Sequence, residues 1–326
     1  MTDASTGSIL PRMRKPGRSV IPAILCVVVA GAGLSSCISL DSIATGAFMA
    51  ERDPELAAEA LPAMIKAAEM LAAASPGDRN ARITVASLYL MYANAFLESE
   101  AFLLPPGEYE RGAALRRRAG ALYRRALGIL LPLVERRRPG LFTLGFQPVG
   151  AIETDAESAA SEKSLAVFGP RDLPLLYWSA AAVFASFASD PMDYGNSSRV
   201  AGAHALMERA LELDPGWGAG MLHSLALSYY AGMPVELGGD PDRAETHYRA
   251  ALEISAGRSA SALVAYAESL CVPRGDYRGF VSALAGVAEI AAVDDPANNL
   301  MNAIAAKRAS RLLEDAPLLF GEAAGP

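Results

Sequence analysis

The sequence is poor in the residues that build metal centres, disulfide frameworks and aromatic-rich cores. It holds 3 cysteines, 3 histidines and 2 tryptophans among 326 residues, and aromatic side chains make up 7% of the chain. So few thiolates and imidazoles leave little material for a zinc site or a set of disulfides. His204, His223 and His247 are 19 and 24 residues apart, which matches no local metal-ligand motif. We therefore expect no metal and no cofactor.

Positive charge and catalytic motifs are scarce as well. Basic residues number 29 against 36 acidic ones, and the net charge of −7 gives no electrostatic basis for holding nucleic acid phosphates. The glycines of the segment 216–220 follow a predicted helix and not a strand, so the dinucleotide-binding context is missing. No phosphate loop, nucleophile elbow or HExxH motif is present. We expect neither a nucleic-acid partner nor an enzyme.

The N-terminus has the features of a lipoprotein signal peptide. Four basic residues at 12–18 precede a 13-residue apolar run at 20–32, which is too short to span a bilayer. The sequence LSSC at residues 34–37 then resembles a bacterial lipobox, in which small residues precede a cysteine that receives a diacylglycerol group. The alternative is a short N-terminal anchor with an incidental cysteine.

Cleavage before Cys37 would change the properties of the chain. Removing residues 1–36 takes away four of the 29 basic residues and one of the 36 acidic residues, which leaves 25 and 35 and a net charge of −10. Acyl chains on Cys37 would hold the protein at a membrane, and Ile38 after it favours the outer membrane over the inner one. Cys271 would be the remaining thiol, more typical of a small buried hydrophobe than of a nucleophile. We read residues 37–52 as a tether.

Beyond residue 52 the apolar residues recur at helical spacing, and no long stretch alternates with period two. Prolines at the first helical position follow Asp53 and Asp240, residues that cap helices well. The predicted helices are 53–74, 78–101, 108–137, 171–189, 197–213, 217–231, 240–255, 259–272, 276–292 and 296–315.

Several of these helices repeat one pattern: a small residue, a large one four positions later, and a small one three positions after that. The full pattern occurs at Ala203–Met207–Ala210, with Pro215 beyond it. It recurs at Ala119–Tyr123–Ala126 and at Ala244–Tyr248–Ala251, and a degraded copy lies at Ala283–Val287–Ile290. The spacing is that of the second helix of a tetratricopeptide repeat. A first-helix pattern falls on Leu222, Leu225, Ala226 and Tyr229.

The predicted fold is therefore all-α, an irregular tetratricopeptide-like helical array (an α-α superhelix) over residues 53–320. The 34-residue period is broken by the connection 232–241, which is about six residues longer than the repeat allows. We expect the segment 138–170 to be an insertion, a loop with short helices that covers one mouth of the superhelix. Residues 321–326 form a C-terminal tail. The alternative is an ordinary alanine-rich helical bundle.

The residues of four segments resemble a known family. These are 116–142, 176–184, 207–270 and 302–320, and the sequence LGGDP at 237–241 is the most specific part. They are similar to the TatT family, the tetratricopeptide-containing T components of TRAP transporters. The resemblance implies a periplasmic lipoprotein that associates as a homotrimer and binds the substrate-binding P component. It also implies hydrophobic clefts or a pore for an apolar ligand, such as an organic acid with a hydrophobic tail.

The resemblance offers candidate binding residues and no catalytic ones. It points to Gly238, Gly239 and Asp240 in LGGDP, to Trp178 and to Trp217, and we add Tyr230 from the aromatic residues of the following helix. The glycines and Asp240 have a structural interpretation too, as a tight turn and a helix cap. The aromatic residues fit a core as well as a cleft.

Three functions remain to be compared. The resemblance favours a transport accessory protein that binds the P component and a hydrophobic ligand. A lipid-anchored scaffold for envelope assembly, for example for outer-membrane protein insertion, would use the same kind of repeat surface. An enzyme is the least supported reading, because no catalytic motif is present.

Overall fold

The computed structural model describes residues 46–142 and 165–321. In these two ranges the regular elements are helices and none is a strand, so the prediction of an all-α helical repeat array is confirmed. The predicted signal peptide with Cys37, the first part of the tether, the centre of the insertion and residues 322–326 lie outside the described residues. The tetratricopeptide assignment itself stays a prediction.

The helices follow the predicted segments closely. The last predicted helix is longer than expected, because it continues from residue 315 to Phe320. We number the α-helices α1 Pro54–Ala74, α2 Arg79–Met91, α3 Ser99–Leu103, α4 Tyr109–Glu135, α5 Leu173–Ser189, α6 Tyr194–Ser197, α7 Val200–Leu213, α8 Met221–Gly232, α9 Pro241–Ile254, α10 Ala260–Tyr266, α11 Val272–Arg274, α12 Tyr277–Ala292 and α13 Asn299–Phe320.

Two of the long helices contain a stretch of π-helix. The first π stretch, Tyr92–Glu98, connects α2 to α3, and the second, Ala267–Cys271, connects α10 to α11. A π stretch adds a residue to a helical turn and redirects the side chains that follow. Short 3₁₀ turns cover Pro170–Asp172, Trp217–Gly220 and Val235–Leu237.

Aspartate caps explain where several helices begin. The Asp53 carboxylate accepts hydrogen bonds from the backbone N–H groups of Glu55 and Leu56, and Asp78 does the same at the start of α2. Each cap satisfies backbone donors that have no partner within the helix, and losing one costs about 1 kcal/mol. Because Pro54 follows Asp53, the proline occupies a position where its missing N–H is not needed.

The helices pack in consecutive pairs, and the small–large–small pattern forms their contacts. α4 packs against α2 and α5, α7 against α5, α9 against α8, and α12 against α10. The pattern residues of α4 and α7 are completely buried: Ala119, Tyr123, Ala126, Ala203, Met207 and Ala210. The alanines let the helices approach closely, and each large side chain between them contributes about 1.5–3 kcal/mol through burial.

The last helix returns to the first. α13 packs on α10 and α12 and also contacts α1 and α3. The Asn299 side chain donates a 3.2 Å hydrogen bond to the carbonyl oxygen of Ala50, and Lys307 forms an ion pair with Glu55. Phe48 packs against the main core, so that residues before α1 also contact the helical domain. The array is therefore closed by contacts between its two ends.

A buried ion-pair cluster holds the start of α5. Asp172 is 3% exposed, and its carboxylate lies 2.7 Å from Arg79 Nη2 and 3.1 Å from Arg137 Nη2. Arg137 also donates a 2.6 Å hydrogen bond to the carbonyl oxygen of Val167. Since Arg79 belongs to α2 and Arg137 follows α4, the cluster connects three helices at the point where the chain returns from the insertion.

Candidate functional site

The connection between α8 and α9, residues 233–240, is an ordered turn that requires both of its glycines. Gly238 has φ +92°, a left-handed conformation that side-chain-bearing residues rarely adopt. Gly239 is needed for space, because a Cβ atom there would lie 1.9 Å from the carbonyl oxygen of Met233. We call residues 233–240 the GGD turn.

Hydrogen bonds to backbone groups fix the GGD turn in one conformation. The Gly239 N–H donates to the carbonyl oxygen of Pro234 at 3.0 Å, and the Asp240 N–H donates to that of Tyr230 at 2.8 Å. The Asp240 carboxylate accepts from the N–H groups of Asp242 and Arg243, both at 3.0 Å, and so caps α9. The structural interpretation of these residues, a tight turn and a helix cap, is confirmed.

Tyr230 lies at the centre of a polar network beneath this turn. Its buried hydroxyl group donates a 2.5 Å hydrogen bond to Glu208 and lies 2.8 Å from Nε2 of His204. Because the one hydroxyl proton goes to the carboxylate, His204 must donate from Nε2. Arg243 donates to both oxygens of Glu208, at 3.2 and 3.3 Å, and its guanidinium carbon lies 4.1 Å above the Tyr230 ring. We call these four residues the Tyr230 network.

The other two histidines extend the network. Nδ1 of His223 lies 2.9 Å from Nδ1 of His247, and the His247 ring stacks on Tyr230 at an interplanar angle of 5°. Burial lowers the pKa of His223, and a hydrogen bond to the carbonyl oxygen of Pro215 opposes part of this effect. Burial lowers the pKa of all three histidines, to about 4 for His247, where the neighbouring His223 adds to the effect.

Sequence spacing alone missed this cluster. The three histidines are widely separated in the chain, yet they meet where α7, α8 and α9 pack together. A signal was present: His204 and Glu208, like Arg243 and His247, are four residues apart and so share a helix face. Across residues 46–142 and 165–321, no group of three or more His, Cys, Asp or Glu side chains is arranged to hold a metal ion.

The two tryptophans belong to a separate aromatic group. Tyr177 lies between them, with ring centroids 4.9 Å from Trp178 and 5.2 Å from Trp217, and all three rings are half-buried. Burial raises the pKa of Tyr177 to about 12. Trp217 precedes α8, whereas the GGD turn follows it. The candidate residues therefore divide into two groups, one at each end of α8, and do not form a single site.

Comparison with known proteins assigns the family. A family model described as "TRAP transporter T-component" matches residues 50–320. The chain belongs to this family. A relative, an uncharacterized protein of Treponema pallidum (strain Nichols), is 29% identical over 269 residues, which cover 82% of this chain and 81% of the relative. The resemblance to the T components of TRAP transporters is thus confirmed.

Family membership gives this T component a role as an accessory part of a TRAP transporter and indicates a periplasmic location. The family is one of accessory transport components and not a known enzyme family. Among the described helices, none is both long enough and apolar enough to cross a membrane.

Proposed function

We propose that this T component is a lipid-anchored accessory protein that binds the periplasmic substrate-binding P component and holds a small hydrophobic ligand between its helices. The family match over residues 50–320 supports the transport role. The observation that carries the partner proposal is the GGD turn, because hydrogen bonds hold its backbone while Pro234, Val235 and Glu236 are exposed at the surface. A surface that is already ordered loses little conformational entropy when a partner binds.

The chemistry of the turn favours a partner with a basic, partly apolar surface. Val235 is 72% exposed and offers an apolar side chain to a partner. Glu236, the next residue, and Asp242, at the start of α9, are also exposed and carry negative charge, and Arg274 lies 4.0 Å from Asp242. The hydrogen bond from the Asp240 N–H to the carbonyl oxygen of Tyr230 joins the end of the turn to α8. We infer that the P component contacts Val235 and its acidic neighbours.

The partner proposal is tested with the lipidated chain in nanodiscs and a purified P component from the same organism. Val235→Asp is expected to weaken binding of the P component about tenfold or more, because it removes a central apolar contact. Val293→Asp is the matched control, because Val293 is 62% exposed in another connection. Equal binding by the wild-type chain and by V235D in surface plasmon resonance would show that the GGD turn is not the contact.

For the hydrophobic ligand, the aromatic group of Tyr177, Trp178 and Trp217 is the proposed cleft. Half-buried rings supply a large apolar contact area with few rotatable bonds. Because Trp178 and Trp217 are the two tryptophans of the whole chain, intrinsic fluorescence reports directly on this group. A ligand bound there should shift the emission, and Trp178→Phe and Trp217→Phe should each remove part of the change. A co-purified ligand that leaves the emission unchanged would exclude this cleft.

Membrane attachment and assembly complete the proposal. Cys37 would carry the acyl chains, and Cys37→Ser should release the protein from the membrane fraction. Separation of outer and inner membranes on a density gradient tests the preference for the outer membrane.

Analytical ultracentrifugation of the detergent-solubilised protein tests the homotrimer, and a monomeric mass at micromolar concentration would contradict it.

A further inference from the structure

A cavity of about 520 Å³ opens beside the start of α5. Its walls come from three parts of the chain: Arg79 at the start of α2, Arg137 after α4, and the segment 166–172 that leads into α5. Three of its lining side chains are arginines, and Asp172 is its one acidic side chain among the described residues. The whole chain carries a net charge of −7, whereas this cavity, with Arg171 as the third arginine, carries a net charge of +2.

Asp172 is already engaged by its neighbours and cannot neutralise all three arginines. Its Oδ1 accepts a 3.1 Å hydrogen bond from Arg137 Nη1, and its Oδ2 accepts a 2.9 Å hydrogen bond from the Gly169 N–H. The Arg171 side chain is exposed and forms no ion pair or hydrogen bond with any described residue. The cavity therefore holds positive charge without a counter-charge, and such a region attracts anions.

Arg79 contributes hydrogen-bond donors that have no acceptor. Its Nε and Nη2 atoms are buried, and within the described residues neither makes a hydrogen bond. Nη2 lies 2.7 Å from Asp172 Oδ1, but the direction of this contact suits an ion pair and not a hydrogen bond. Nε and Nη2 form one edge of the guanidinium group, which can donate two parallel hydrogen bonds to an oxyanion. Buried donors without a partner are uncommon and call for an explanation.

The arrangement of the arginines favours a tetrahedral anion. Arg79, Arg137 and Arg171 reach the cavity from three separate elements and can therefore surround a ligand on several sides. A carboxylate presents two oxygens in one plane, whereas a phosphate group presents at least three terminal oxygens in a tetrahedron. A phosphate monoester carries a charge of about −1.5 to −2 near neutral pH, which matches the net charge of the cavity. The N-terminus of α5, where Asp172 is the cap residue, adds partial positive charge.

We propose that this cavity, which we call the arginine cavity (Arg79, Arg137, Arg171 and Asp172), binds a doubly charged phosphate group, either free phosphate or a phosphate monoester. The inference goes beyond the proposed function, because neither the P component nor the aromatic group is needed for it. Arg171 and Arg79 donate to the phosphate oxygens, while Arg137 stays bound to Asp172 and to the carbonyl oxygen of Val167. The Arg79 side chain is 31% exposed, so a small rotation brings its unpartnered edge to the cavity.

The experiment compares three probes that differ in charge and in the number of ester bonds. They are inorganic phosphate, methyl phosphate, which is a monoester, and dimethyl phosphate, which carries a single charge as the phosphodiester of a lipid headgroup does. Each probe is titrated by calorimetry into the full lipidated chain in dodecyl maltoside, a detergent without phosphate, at neutral pH and constant ionic strength. The tighter of the first two probes is expected to bind about tenfold more tightly than dimethyl phosphate or better.

Substitutions test whether the phosphate group binds in the arginine cavity. Arg171→Gln should weaken binding of the tighter probe about tenfold, because it removes one charge and the hydrogen bonds that this side chain donates. Arg278→Gln makes the same change at an exposed arginine of α12 and is the matched control, which should bind as the wild type does. Arg79→Lys keeps the charge but lacks the Nε–H, and it should also weaken binding, provided that its melting temperature matches that of the wild type. The tighter probe should raise the melting temperature of the wild type more than that of R171Q.

The two sources of phosphate give different results. Binding of methyl phosphate at least as tight as that of inorganic phosphate assigns the ligand to the monoesters, whereas tighter binding of inorganic phosphate assigns it to the free ion.

Several outcomes would overturn the inference. They are the absence of binding of both doubly charged probes, equal affinity for dimethyl phosphate, wild-type affinity in a folded R171Q protein, and an equal loss of affinity in R278Q. Capture of the P component by R171Q is measured in parallel and is expected to be normal. Failure of phosphate binding with intact P-component binding would overturn this inference alone, whereas failure of the P component to bind the wild type would overturn the proposed function.

Discussion

Tyr230 and Glu208 are joined by a 2.5 Å hydrogen bond between a buried hydroxyl group and a carboxylate on a neighbouring helix. Burial, and then the carboxylate, raise the pKa of Tyr230, so the hydroxyl group keeps its proton. The same tyrosine receives the Asp240 N–H at its backbone oxygen. One residue therefore connects the core of the helical array to the exposed GGD turn.

The first prediction concerns this hydroxyl group. Tyr230→Phe removes the hydroxyl group from between Glu208 and His204, and the Glu208 carboxylate, 3.6 Å from His204 Nε2, lies beyond ordinary hydrogen-bond distance. The unfolding free energy should fall by about 1–3 kcal/mol, the cost of an unsatisfied buried polar group. Urea unfolding measures the change. Tyr194→Phe, at a position 78% exposed, is the control and should be neutral. A Y230F protein as stable as the wild type would mean that the network contributes nothing to folding.

The second prediction concerns acid. In the folded protein the pKa of His247 is lowered to about 4, whereas an unfolded chain protonates histidine near its ordinary value of 6.5. Between these values the unfolded state binds more protons, so stability is full above about pH 6.5 and is lost as the pH falls towards 4. The pKa values of His204 and His223 shift in the same direction. Urea unfolding at a series of pH values measures the slope of the unfolding free energy against pH.

His247→Asn should flatten this dependence without abolishing it, because the other two histidines still titrate. Glu208 favours the charged form of His247, while Arg243 and His223 oppose it. The loss for the wild type between neutral and mildly acidic pH should be on the order of 1–2 kcal/mol, since the site is half-exposed. Identical slopes for wild type and H247N would assign the acid sensitivity to other groups.

The third prediction concerns the GGD turn. Gly239→Ala places a methyl group 1.9 Å from the Met233 carbonyl oxygen, so the backbone must move. We expect a loss of more than about 2 kcal/mol and weaker binding of the P component. Gly232→Ala is the matched control, because nothing lies within 4 Å of its Cβ position at the end of α8. Equal melting temperatures for the two variants would contradict the close approach.

The fourth prediction concerns the ion pairs of Asp172. Asp172→Asn leaves Arg79 and Arg137 facing each other without the buried carboxylate, and the expected loss is about 3–5 kcal/mol. Asp242→Asn should change stability little, because that side chain is fully exposed. Calorimetric melting of both variants measures the difference. A D172N protein that melts with the wild type would show that the cluster is dispensable.

Sequence periodicity predicted the helices because each one buries a stripe of small and large residues. The Ala203–Met207–Ala210 pattern is buried as the spacing required, and Asp53 and Asp240 cap helices as their positions before proline indicated. These features are local, and local patterns are readable in one sequence. The π stretches could not be read in this way, since nothing in Tyr92–Glu98 differs in hydrophobic pattern from an ordinary helix.

The candidate sites depended on contacts between distant segments, which periodicity does not supply. The distance between His223 and His247 follows from the packing of α8 on α9. Likewise, Arg79 and Arg137 meet at Asp172 only after α2, α4 and α5 have packed together. Trp178 and Trp217 were expected near a cleft, and both contact Tyr177, which was not among the candidate residues.

The hydrogen bond from Asn299 to Ala50 spans 249 positions of the chain. In an open solenoid each repeat touches only its neighbours, so terminal repeats can fray or be deleted one at a time. Here the two ends support each other. Removal of α13 would expose apolar surface on α10 and α12 and also remove one of the helices that α1 contacts. The domain should therefore unfold in a single cooperative transition, and shortened versions that lack either end should fail to fold.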